Sequence, residues 1–156
     1  MCKLAIKIVS IYNMKHIMDN SHYIIMFFIM IIAGALSTMN VWVNKISDIR
    51  FSVNDLYMIL LMSGWMLFFM GIIYKNLYAL LFGLILVIAN LYCIRTQCFV
   101  SENQYKLGMI PHHSMAVLMS KKLLKKPNNI QNFLENLIIT QEDEINFLKN
   151  PQKPLS

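Results

Sequence analysis

The sequence predicts an all-α protein: three transmembrane helices, then an extramembrane helical hairpin of four-helix-bundle type that dimerisation would complete. Three observations carry that expectation. Three apolar runs follow one another between Tyr23 and Ile94, with no charged residue inside any of them. Two later stretches, about 103–126 and 129–149, repeat apolar residues at the helical period. The composition, 57% hydrophobic and 14% charged with a mean hydropathy of +0.51, leaves too little polar surface for a water-facing globule.

Residues 1–22 form a separate basic segment. Lys3, Lys7, Lys15 and His16 alternate there with Leu4, Ile8, Ile11 and Ile17, as in an amphipathic helix lying on a membrane surface. The membrane domain, 23–94, comes next, with spans at 23–43, 56–74 and 77–94. Their lengths of 21, 19 and 18 residues each suffice to cross the hydrocarbon core as a helix. Ala33-Gly34-Ala35 imitates a leader-cleavage site, but the apolar character continues past it to Val43, so the run reads as a span. Tyr23, Trp42, Tyr57, Tyr74, Tyr78 and Tyr92 lie near span ends, where an interfacial belt places aromatics. Only Lys75 and Asn76 separate the second and third spans, which makes those two a tight antiparallel pair.

Flanking cations set the orientation. Lys3, Lys7, Lys15 and Lys75 fall on one side, and Lys45, Arg50 and Arg95 on the other, which leans towards an N-terminus inside and a C-terminal domain outside. The net charge of +6 comes mostly from such flanking residues and from Lys121, Lys122, Lys125 and Lys126. Those four close a helix, where cations complement its dipole, and no aromatic-basic interleaving marks a nucleic-acid surface. The partner implied is the lipid bilayer. With no charge inside a span, an ion pump or proton relay is disfavoured. Met58, Met62, Met66 and Met70 form a slanting stripe in the second span, better explained by helix packing than by a metal relay. Cys2, Cys93 and Cys98 make no disulfide framework.

The remaining domain, 95–156, holds the chemistry. Met109-Ile110-Pro111-His112-His113 opens a stretch that ends at Met119. On a helix, Met119 falls about 20° and Met115 about 60° to one side of His112, and Met109 about 60° to the other. His113 lies about 40° beyond Met109, on the shoulder of that face. Imidazole nitrogen with thioether sulfur is a soft donor set that suits Cu(I), and thioether needs no deprotonation to bind. Methionines at this spacing also serve as ordinary core, and both readings stay open. Pro111 is expected to bend the helix or to mark its true start.

The last helix, about 129–149, carries its apolar stripe through Phe133, Leu134, Leu137, Ile138, Ile145 and Leu148. Gln141 and Glu144 lie within that stripe, whereas Glu142 and Asp143 point outward. A buried carboxylate needs a partner, so Glu144 should face a cation, a histidine or a metal. Two helices alone bury too little to be stable, hence the expected second copy.

These residues resemble the bacterial domain of unknown function 305. Its pattern is similar to Met109-Ile110-Pro111-His112-His113, a methionine at Met119, and Gln141-Glu142-Asp143-Glu144-Ile145 on a second helix. A membrane-anchored branch of the family has three spans and an Arg-Ser-Gln-like junction, where Arg95-Thr96-Gln97 stands here. The resemblance implies a ferritin-like helical domain on the outer, periplasmic face of the cytoplasmic membrane, and copper binding or copper tolerance. By position it makes Met109, His112, His113 and Met119 metal ligands, with Gln141 and Glu144 alongside. Leu148 departs from the family's methionine at that place, and Met115 is the candidate substitute.

The leading expectation is therefore a membrane-anchored Cu(I)-binding protein, a sink or carrier and not an enzyme. The motif has no nucleophile paired with a base, no Gly-rich phosphate loop and no three-His open site. The alternative is a structural or assembly membrane protein whose histidines serve a helix interface. A weaker third reading binds iron through His and Glu.

Overall fold

The computed structural model describes residues 20–150, and the regular structure among them is entirely helical. Five α-helices follow in order: α1 Asn20–Leu36, α2 Val53–Ile73, α3 Leu77–Thr96, α4 Glu102–Leu123 and α5 Gln131–Lys149. Two short 3-10 turns, Met39–Trp42 and Ile46–Asp48, join α1 to α2. The surface helix expected over residues 1–22 lies, up to residue 19, outside the described residues. The described residues form two compact units, one of residues 20–35 and 57–96, the other of 36–56 and 97–150. The second unit thus takes in the loop after α1 and starts at residue 97, so that residues 95 and 96 of the expected domain at 95–156 belong to the first unit.

Three helices are long and apolar enough to cross a membrane: Ser21–Trp42, Val53–Ile73 and Leu77–Thr96. Regular α-helix in the first of them ends at Leu36, short of the expected Val43. The reason is local. Thr38 is extended, and the Asn40 side chain donates to Thr38 Oγ1 (3.1 Å) and to the Arg50 carbonyl (2.7 Å), while Arg50 N–H donates back to Asn40 Oδ1 (2.9 Å). Short polar side chains compete with the helix for its own backbone partners, and here they win.

Helix α2 ends at a lysine in the left-handed conformation: Lys75 has φ 54°, Asn76 N–H donates to the Gly71 carbonyl (2.9 Å) and Lys75 N–H to that of Ile72 (3.3 Å). Asn76 Oδ1 then accepts from Ala79 N–H (3.1 Å), so the two expected turn residues close one helix and cap the next. The antiparallel pair packs backbone to backbone. A Cβ on Gly83 would come within 2.4 Å of the Phe68 nitrogen, and one on Gly71 within 2.4 Å of the Leu80 nitrogen. Tyr23, Leu67 and Ala79 are buried at the centre with Phe27, Met66, Met70 and Leu86 around them. The methionine stripe therefore divides, since Met58 and Met62 are exposed. Buried Ser63 and Asn90 each donate to the carbonyl four residues back, at 2.9 and 2.8 Å, which satisfies them without water.

In the second unit α4 and α5 pack as the expected hairpin around Ile110, Val117 and Ile145, with Ile138 and Leu148 beside them. Ser101 caps α4, its Oγ accepting from Gln104 N–H (3.4 Å). The helix continues through Pro111, which neither starts it nor ends it. An interior proline costs a helix about 3 kcal/mol, and the full burial of this ring in the core offsets that penalty. Asn128 manages the reversal: its amide donates to the Lys126 carbonyl (2.9 Å), and its Oδ1 accepts from Ile130 N–H (3.2 Å).

Candidate functional site

Adjacent residues on a helix point about 100° apart, and the two histidines of α4 divide accordingly. His113 turns inward to α5, where its Nδ1 lies 2.8 Å from Glu144 Oε2. The carboxylate is out of line with the ring N–H, so Nδ1 is buried without an aligned hydrogen-bond partner. Gln141 holds the same carboxylate, donating from Nε2 to Glu144 Oε2 (3.0 Å). The expectation that Glu144 faces a histidine thus holds, with the ring only 13% exposed.

His112 turns outward, and its Nδ1 lies 3.4 Å from the sulfur of Met39, on the first 3-10 turn. The two imidazoles sit 6.1 Å apart and nearly perpendicular. Met109 and Met115, one turn to either side of His112, are half-buried, while Met119 is exposed. The expected common face exists along the helix, but the side chains do not all meet. Glu144 and Gln141 join His113 only, and the thioether that reaches His112 comes from a different segment. Glu142, expected to point freely outward, instead pairs across the hairpin with Lys121 (2.6 Å). Among the described residues no three of His, Cys, Asp and Glu converge as a metal site would need.

A second cluster anchors the loop of residues 44–48 to both helices. Asp48 is only 2% exposed. Ser114, next to the His pair, donates its hydroxyl to Asp48 Oδ2 (2.6 Å) and accepts from Asn44 N–H (2.8 Å), while Lys149 at the end of α5 pairs with Asp48 Oδ1. Burial pushes the Asp48 carboxyl up, but the hydrogen bonds from Lys149 and Ser114 and the charges of Lys149 and Lys45 outweigh it and hold the group below its ordinary value. A cavity of about 60 Å³ opens beside it, between Lys45, Glu142, Asn146 and Lys149.

Sequence reasoning missed both Met39 and Asp48. Met39 was hidden inside an apolar run read as membrane, and Asp48 was one loop acid among charged neighbours. The nearest available signal was the loop's Ser, Thr and Asn content, which favours turns over helix.

The uncharacterized protein L153 of Acanthamoeba polyphaga mimivirus is 43% identical to this chain, over 85% of the chain and 92% of its own length. The chain belongs to that protein's family. No family model matches the sequence, and no solved structure matches it.

Chemically, the family member described here offers an inward imidazole against a carboxylate and an outward imidazole against a thioether. Neutral imidazole and thioether are competent ligands for a soft cation. One carboxylate beside the histidines is a poor basis for a carboxylate-bridged iron pair, which draws several glutamates from facing helices.

Proposed function

We propose that this protein is a membrane-anchored metal-binding protein that holds copper as Cu(I) through His112 and His113 with methionine sulfur, and that it acts as a sink or carrier without catalysing a reaction. The observation that supports this most is the His pair itself. One ring lies against the Glu144 carboxylate, and its neighbour stands in the open with sulfur beside it. Met109, Met115 and Met119 add soft donors along the same helix, and Glu144 with Gln141 orients the His113 ring as outer carboxylates do for ligating imidazoles. The Met-Ile-Pro-His-His and Gln-x-x-Glu-Ile pattern, which resembles the domain of unknown function 305, points the same way.

In this reading the three spans hold the hairpin on the outer face of the cytoplasmic membrane, with the N-terminus inside. A second copy completes a ferritin-like four-helix bundle. Apolar residues left exposed on the hairpin, among them Met119 at 55%, Phe133 at 60% and Ile139 at 62%, support that pairing.

The test is a Cu(I) titration of the full-length protein in detergent against a competing chelator, beside the double variant His112→Ala/His113→Ala. Tight stoichiometric binding that disappears in the variant is expected. A folded wild-type protein that leaves all Cu(I) with the chelator would sink the proposal. The second reading, a structural membrane protein with no metal, is favoured by the ion-pair approach of His113 to Glu144, which joins the two helices without any ion. It predicts that His113→Ala loosens the hairpin and that added Cu(I) changes nothing.

A further inference from the structure

We infer that Met39, on the 3-10 turn after the first membrane helix, is a ligand of the same ion, so that metal binding clamps the loop of residues 38–50 onto α4. The inference rests on the proposed Cu(I) site and adds to it a residue from outside the hairpin.

Distance is the first argument. Two ligands of one tetrahedral ion, with metal–nitrogen and metal–sulfur bonds of about 2.0 and 2.3 Å, lie roughly 3.5 Å apart. His112 Nδ1 and Met39 Sδ are 3.4 Å apart, so both atoms can reach one ion with little movement. Chemistry is the second argument, because thioether beside imidazole is a soft pair. Exposure is the third. Met39 is 43% exposed and His112 is exposed too, so neither is locked into the core and an ion can enter from solvent.

The loop is built to hold that sulfur in place. Asn40, the next residue, ties the turn to Arg50 through two hydrogen bonds, at 2.7 and 2.9 Å. Asn44 and Asp48 fix the far end of the loop to Ser114, two residues beyond the His112–His113 pair's start and on the same helix. An ion shared by Met39 and His112 would therefore close a second fastening beside one that already exists. Met109 and Met115, a turn away from His112 on either side, carry further sulfurs along the same helix.

The experiment uses the full-length protein in detergent, loaded with Cu(I) and compared as wild type, Met39→Leu and Met39→Cys. Leucine keeps the size and removes the donor, and cysteine restores a soft donor. The expected result is that Met39→Leu weakens Cu(I) binding about tenfold or more and loses one sulfur neighbour in X-ray absorption, while Met39→Cys recovers both. Hydrogen exchange over residues 38–50 should slow on loading in the wild type and not in Met39→Leu. Unchanged affinity and sulfur count in Met39→Leu, with binding still lost in His112→Ala/His113→Ala, would overturn the clamp and leave the Cu(I) site standing. Absence of Cu(I) binding by the wild type would overturn both.

Discussion

Asp48 shows how much one side chain can organise. It is buried, accepts from Ser114, pairs with Lys149, and so fastens a loop to both helices of the hairpin. Asp48→Ala would leave Lys149 without its anion and Ser114 without its acceptor. Breaking a buried ion pair costs about 3–5 kcal/mol, and the partial exposure of Lys149 reduces that to roughly 2–3 kcal/mol, to be read from chemical denaturation. The pH dependence has a definite sign. The folded carboxyl titrates below its ordinary 3.8, so its contribution is complete above the unfolded value and is lost as pH falls through the folded one. Unfolding curves at pH 6 and pH 3 should show wild type losing stability that Asp48→Asn has already lost. Equal losses in both proteins would mean that other carboxylates dominate acid unfolding.

At the scale of the element, two helical pairs make contact by different means. Helices α2 and α3 meet through glycine, where packing and not hydrophobicity holds helices together in lipid. Gly83→Ala would press a methyl group to 2.4 Å from the Phe68 nitrogen, against backbone that has no side-chain torsion to yield. A destabilisation of about 2–3 kcal/mol is expected from thermal unfolding in detergent. Gly34→Ala, meeting side-chain atoms of Ile59 at 3.0 Å and the end of Met62 at 3.2 Å rather than backbone, should cost less. If the two variants melted together, the close approach of α2 and α3 would be refuted. Helices α4 and α5 instead meet through a small apolar core. Val117 is fully buried there, and Val117→Ala should destabilise the hairpin by about 1–3 kcal/mol with little effect on α1–α3.

For the whole molecule, the proposed crossing of all three apolar helices would put the segment before α1 and the hairpin on opposite sides of the membrane. Single cysteines introduced at Lys15 and Asn132, with Cys2, Cys93 and Cys98 changed to serine, should react with an impermeant maleimide from opposite faces. Labelling of both from one face would show that one of the three apolar helices does not cross. The proposed pairing is read separately, as a dimer mass in native mass spectrometry. A monomer at every concentration would leave the exposed apolar residues of the hairpin to another partner.

The sequence by itself determined whatever repeats locally. Charge-free runs set the three spans to within a few residues at most ends, Lys75-Asn76 marked the tight turn, and apolar periodicity marked both hairpin helices. It also required a partner for Glu144, because a carboxylate inside an apolar stripe needs one, and the fold supplied His113. Tertiary structure alone decided where α1 stops, that α4 passes through Pro111, and which sulfur reaches His112. The physical reason is separation along the chain. Met39 meets His112 across 73 residues, and Asp48 meets Ser114 across 66 and Lys149 across 101. No helical period reaches so far, and such pairs exist only once the loop has folded back onto the hairpin.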